Sequence, residues 1–228
     1  MIKIEEIYGI KIDNPDFFQR ALTHPSYTKE KELPYEMNYE RMEFLGDAVL
    51  KLVTSSILYE KYPQYTEGNL SKIRSIVVSD NTLSKIAHDI GLCDLIVLSH
   101  HEAKQGYANI ESVCACAFEA VLGAFYLDGK LEEIKQFLVK VLTPFIEEVD
   151  SNFEKYNAKA ILQEYTQGQT KQIPVYKIIK EEGPAHNKIF TVEVAYQDKV
   201  IAQGQGKSKK DAEQHAALEA CKILGVIQ

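Results

Sequence analysis

The sequence predicts two domains of different class: an all-α unit over residues 1–149 and a small α+β unit, ordered αβββα, over residues 157–228. Three observations predict this. Helical periodicity without strand-like alternation runs through the N-terminal two-thirds. Alternating segments rich in β-branched and aromatic residues are confined to the C-terminal third. The charge changes sign at the same place. Residues 1–156 hold 16 Lys/Arg and 25 Asp/Glu, net −9, whereas residues 157–228 hold 10 Lys, no Arg and 8 Asp/Glu, net +2. The overall charge of −7 therefore hides a basic end behind an acidic one.

The elements follow in order. "DNPDFFQRALTH" opens with capping residues and continues with helical spacing. A helix over 39–61 stops before "YPQYTEGN", a break around Pro63 and Gly68. "LSKIRSIVVSDNTLSKIAHDIG" gives more helix, with Gly91 as its stop. "IESVCACAFEAVLGAFYLDG" is a long apolar helix closing at Asp128-Gly129, and 131–148 forms another. Residues 150–156 are short, polar and unpatterned, which suits a linker. "AKAILQEYTQG" is helical up to Gly168. "PVYKIIKEE", "KIFTVEVAY" and "KVIAQG" read as three meandering strands, and "SKKDAEQHAALEACKIL" as the closing helix. No apolar run approaches the ~18 residues of a membrane span, and no basic-then-apolar leader opens the chain. A cytoplasmic protein without a membrane segment is the expectation. Cys93, Cys114, Cys116 and Cys221 match neither a disulfide framework nor a C-x-x-C metal pattern, so reduced, mostly buried thiols are expected.

"ERMEFLGDAVL", residues 40–50, carries the chemistry. At about 100° per residue, Glu40, Glu43 and Asp47 fall within about 60° of one another, on one helical face. Leu45, Ala48, Val49, Leu52 and Val53 span the opposite arc, and Phe44 lies beside the acids. On an arbitrary helix such a stripe is a solvated surface. Here no Lys follows Glu40 or Glu43 at i+4; Phe44 and Asp47 stand there instead. Phe44, outside the apolar arc, calls for a partner surface, and a second subunit is one candidate. Clustered carboxylates suit a hard divalent cation. Glu119, alone in the apolar "VCACAFEAVLGAFYL", is costly to bury unpaired: either it points to solvent or, the preferred reading, it completes such a site with the first helix.

These residues resemble bacterial ribonuclease III, whose signature is E-R-L-E-F-L-G-D-[AS]-[VI]-L. "LTHPSY" (22–27), "EGNLSKIRS" (67–75) and "FEAVLGAFYLDG" (118–129) are similar to further blocks of that family. The resemblance spans essentially the whole chain. It implies a helical endonuclease domain that acts as a homodimer and hydrolyses double-stranded RNA with Mg²⁺, for which Mn²⁺ can substitute. It implies 5′-phosphate and 3′-hydroxyl ends and a place in ribosomal, messenger and transfer RNA processing. Glu43, Asp47 and Glu119 would hold metal, with Asp47 and Glu119 also catalytic. Glu40 and Glu67 match acids near the scissile strand, and Phe44 matches the dimer seam. One position departs: Cys116 stands where the family places a metal-binding carboxylate. A thiolate is a poor Mg²⁺ ligand, so a small half-buried thiol is the preferred reading of Cys116. The departure opens an alternative, a catalytically impaired chain that only binds double-stranded RNA.

The αβββα segment resembles a double-stranded RNA-binding domain. Ser208 can cap the last helix with Asp211 at N3. Lys207, Lys209 and Lys210 sit at the positive end of that helix, a mismatch that a phosphate backbone would resolve. Gln163 and Glu164, and His186 in the loop between the first two strands, match groove contacts of the family, which reads A-form shape over about 16 base pairs. The G-x-G at 204–206 lacks the third glycine and the βαβ setting of a dinucleotide site.

Overall fold

The structure, a computed structural model, describes residues 2–184 and 188–227. It divides into two compact units, Met1–Glu148 and Val149–Gln228. The first is helical: α1 Ile2–Tyr8, α2 Pro15–Ala21, α3 Pro25–Glu30, α4 Glu40–Lys61, α5 Glu67–Val77, α6 Asp80–Asp89, α7 His100–Lys104, α8 Glu111–Leu127 and α9 Leu131–Ser151, with three short 3₁₀ turns. The only pairing of extended backbone among its described residues is an isolated bridge, Thr23 to Val97.

Packing centres on α8, which is apolar nearly all round and buried over most of Val113 to Phe125, with Cys116 and Glu119 only half-buried. A helix hydrophobic all round belongs in a core. Phe125 meets Phe18 of α2 edge-on at 4.6 Å and Tyr8 of α1 at 5.0 Å. The seam of α9 is Ile134, Leu138, Leu142 and Ile146, all fully buried at a spacing of four residues. Two sequence blocks prove to be fasteners. In "LTHPSY", His24 caps α3: its Nδ1 accepts from the Ser26 N–H at 3.1 Å, and Pro25 takes the first helical position. In "FYLDG", the Asp128 carboxylate accepts from the N–H groups of Asp13 and Asn14 at 2.9 and 2.8 Å.

The second unit has α10 Phe153–Thr170, β1 Val175–Glu182, β2 Ile189–Tyr196, β3 Lys199–Gly206 and α11 Lys209–Ile223. The sheet is antiparallel in the order β1-β2-β3. Its core joins Ala158 and Leu162 of α10, Val192 and Val194 of β2, and Ala212, Ala216, Ala217 and Ala220 of α11. Small residues let α11 lie close to the sheet. A methyl group on Gly204 or Gly206 would overlap the backbone of α11, so the G-x-G serves helix–strand packing.

Three expectations need correction, on Gly168, on residues 70–91 and on the cysteines. The stretch expected as a linker, residues 150–156, is helical, as the end of α9 and the start of α10, apart from Asn152 between them. The polar stretch lacks apolar periodicity, but nothing in it breaks a helix. Gly168 lies inside α10, which ends at Lys171 with φ 64°. The predicted helix over 70–91 is two helices, broken at Val78 and Ser79. Cys93 and Cys114 are bonded as a disulfide, with Cα atoms 5.5 Å apart. Packing of α6 and the following turn against α8 brings them together, which spacing along the chain cannot reveal. Among the described residues, no helix is long and apolar enough to cross a membrane.

Candidate active site and RNA-binding surface

The site forms where α4 crosses α8, and two glycines set the crossing distance. A Cβ on Gly46 would collide with the carbonyl of Glu119, and one on Gly123 with the carbonyl of Met42. Backbones that close bring the first turns of the α4 acidic face against the middle of α8. The result is a cleft of about 690 Å³ lined by Glu40, Glu43, Phe44, Asp47, Lys51, Ser75, Val78, Asp80 and Glu119. Thus Glu40, Glu43, Asp47 and Glu119 share one cleft.

Electrostatics mark it as short of positive charge. Burial, then the charges of Asp47, Glu43 and Asp80, push the Glu119 carboxyl up to about 8, with Lys51 pulling the other way. Glu43 is raised by burial and by Glu40, Asp80 and Asp47, against a hydrogen bond from Cys116. The Cys116 thiol, half-buried, is pushed up to about 12 by burial and by Glu43. As a thiol it donates a hydrogen bond to Glu43. Glu40 is held in place: its N–H donates to Asn38 Oδ1 at 3.0 Å, and its carboxylate accepts from Asn38 Nδ2 at 3.1 Å and from the Tyr35 hydroxyl. Five carboxylates facing one ammonium, all with oxygen donors, fit a hard divalent cation.

Two residues of the cleft escaped the sequence reading. Lys51 binds Asp47 at 2.7 Å, one turn on at i+4, the position where neither Glu40 nor Glu43 has a lysine. Asp80 opens α6 beside Ser79 and reads as an ordinary first-turn acid. Only the tertiary fold turns that end of α6 toward Glu43 and Glu119. Glu67 goes elsewhere: it accepts from the Ser71 hydroxyl at 2.6 Å and lines a separate groove of about 600 Å³ with Leu52, Tyr59, Tyr65 and Arg74.

The α4 apolar arc also divides. Val49 and Val53 are buried, with Met42, Leu50 and Ile57, but Leu52 is 63 % exposed, contrary to its expected place in the core. With Phe44 at 82 % and Tyr59 at 75 %, Leu52 forms an open apolar stripe beside the acids. Arg74 Nη1 donates to Ser55 Oγ at 2.8 Å on the same side.

In the C-terminal unit, Gln163 and Glu164 are exposed on α10, and Lys207, Lys209 and Lys210 are exposed around the start of α11. Ser208 Oγ accepts from the Asp211 N–H at 3.1 Å, and the Asp211 carboxylate accepts from the Lys207 N–H at 3.2 Å. Lys209 Nζ lies 3.7 Å from Glu181 and 5.7 Å from the Phe190 ring centre. His186 lies outside the described residues.

Comparison with known proteins agrees with this organisation. Residues 14–145 match the family model described as ribonuclease-III-like, and residues 158–224 match the double-stranded RNA binding motif. Ribonuclease 3 of Bdellovibrio bacteriovorus is 43 % identical over 222 residues, covering 96 % of this chain and 94 % of that one. Ribonuclease 3 of Staphylococcus epidermidis is 40 % identical over 216 residues, covering 95 % and 88 %. The solved nuclease domain of ribonuclease III from Campylobacter jejuni, described with flexibility in a region involved in dimer formation, is 34 % identical. It superposes with a TM-score of 0.56 over 61 % of this chain and 94 % of that one. With a helical nuclease-type unit, an αβββα unit and relatives matched along nearly their whole length, the chain belongs to the ribonuclease III family.

Proposed function

We propose that the chain is a divalent-metal-dependent endoribonuclease that cuts double-stranded RNA to leave 5′-phosphate and 3′-hydroxyl ends. The observation that carries this reading is the convergence of Glu43 and Asp47 from α4 with Glu119 from α8 at a glycine-spaced crossing. Glu43, Asp47 and Glu119 are the residues that would hold Mg²⁺ or Mn²⁺. Asp80, in the same cleft, supplies a carboxylate in compensation for the one that Cys116 does not. The chemistry supplied by the cation, when bound, is activation of an attacking water and stabilisation of the leaving oxygen. Glu40, fixed by Asn38 and Tyr35, stands beside the scissile strand.

The exposed stripe of Phe44, Leu52 and Tyr59 supports a homodimer through α4, because an open apolar band of this kind marks an interaction face. Glu67 lines the groove beside that stripe, so its part in cleavage belongs to the assembled dimer. A two-fold dimer presents two equivalent sites to the approximate two-fold of an RNA duplex. Lys207, Lys209, Lys210, Gln163 and Glu164 supply the duplex-binding face, and His186 is a further candidate contact. Processing of RNA precursors in the cytoplasm is the setting this activity suits.

The test is cleavage of a long RNA duplex and of its separate strands, with Mg²⁺, with Mn²⁺ and with chelator. Cutting of the duplex alone, dependent on metal, is expected. Tight binding of the duplex without cutting under either metal would favour a chain that only sequesters RNA.

A further inference from the structure

A second cluster of metal-ligating side chains lies apart from the acidic cleft. The side chains of His88, Cys93 and Cys114 place their ligand atoms within 4.8 Å of one another. They come from three elements: the last turn of α6, the 3₁₀ turn Cys93–Leu95, and the first turns of α8. His88 Nε2 is 3.5 Å from Cys114 Sγ, and Cys114 Sγ is 2.9 Å from the carbonyl of Ala108. Both cysteines are buried, whereas His88 is exposed and gives the cluster an open side.

We propose that the reduced chain binds one Zn²⁺ between His88, Cys93 and Cys114. Tetrahedral zinc with Zn–S of about 2.3 Å and Zn–N of about 2.0 Å needs ligand atoms about 3.5–3.8 Å apart, and His88 Nε2 already stands 3.5 Å from Cys114 Sγ. On binding, each thiol releases its proton to solvent. Two thiolates and a neutral imidazole then hold the ion, and a water on the His88 side completes the shell. The donor set is soft, so it selects against the Mg²⁺ that suits the carboxylate cleft. Disulfide and zinc are exclusive states of one cysteine pair, because the Cys93–Cys114 bond leaves no thiolate to bind. Zinc would tie the end of α6, which begins with Asp80, to the start of α8, which carries Glu119. Cys116 takes no part, since its thiol donates to Glu43.

Full-length, tag-free protein, reduced and stripped with chelator, would be titrated with Co²⁺ in excess Mg²⁺, followed by Zn²⁺ competition. The expected result is one thiolate-to-cobalt charge-transfer band per chain, bleached by Zn²⁺, lost in Cys93→Ser and kept in Cys116→Ser. His88 is exposed, so His88→Ala folds, and it should weaken Co²⁺ binding by at least about tenfold. Oxidised protein should give no band. The proposal is overturned by absence of the band in reduced wild type, by unchanged affinity in His88→Ala, or by loss of the band in Cys116→Ser.

Discussion

Cys116 and Glu119 stand one turn apart on α8: the first donates to Glu43, and the second is raised by burial and by the charges of Asp47 and Glu43. One is a neutral donor and the other an acid shared with Asp47. If Cys116 occupies a carboxylate position, Cys116→Asp should raise the Mg²⁺-supported cleavage rate by about tenfold or more. Rates measured at limiting Mg²⁺ check this, and an unchanged rate would mean that Asp80 already serves in full. Glu119 makes a pH prediction. Its value in the fold, about 8, lies above the 4.5 of an unperturbed glutamate. Protonation therefore favours the fold. That contribution is complete below about pH 4.5 and is lost as the pH rises through about 8. Melting of metal-free protein across this range should show a falling midpoint, with a shallower fall in Glu119→Gln and with Mg²⁺ present. These carboxylates were legible one by one, because each stands in a recognisable local pattern. Asp80 was not, since a first-turn acid after a serine looks the same whether it faces water or a metal.

At the scale of helices, the crossing of α4 and α8 depends on two positions that cannot carry a Cβ. Gly46→Ala would force the helices apart at Glu119. It should cost about 2–3 kcal/mol and lower the melting midpoint by about 5–10 °C, measured by calorimetry. The open stripe on α4 yields a separate prediction. Leu52→Asp should shift the protein from dimer to monomer in sedimentation at micromolar concentration, with the helical content of its circular dichroism kept. Sequence periodicity located α4 to within a residue at its start, and the odd angle of Phe44 foretold an unusual surface. It misassigned Leu52, because an arc of apolar residues does not say which part meets the core and which part stays open. It also could not divide α5 from α6, whose break falls among residues that all tolerate helix.

Across the whole molecule, the two units differ in charge as they differ in class. Exposed lysines at the start of α11 stand against an acidic N-terminal unit. Replacing Lys207, Lys209 and Lys210 with Gln should weaken duplex binding for every sequence alike. It should also reduce the slope of log affinity against log salt by about two to three. The division into classes was readable from alternation and charge alone. The Cys93–Cys114 pairing was not, because it joins elements that only the packing around α8 brings into contact. Acids from α4 and α8 forming one metal site are the centre of the proposed cutting of double-stranded RNA. The direct measurement is cleavage and binding of a long duplex by wild type and Glu119→Gln with Mg²⁺. Glu119→Gln should keep its RNA affinity while the cleavage rate falls by roughly two to three orders of magnitude. Cleavage by Glu119→Gln at the wild-type rate would contradict it.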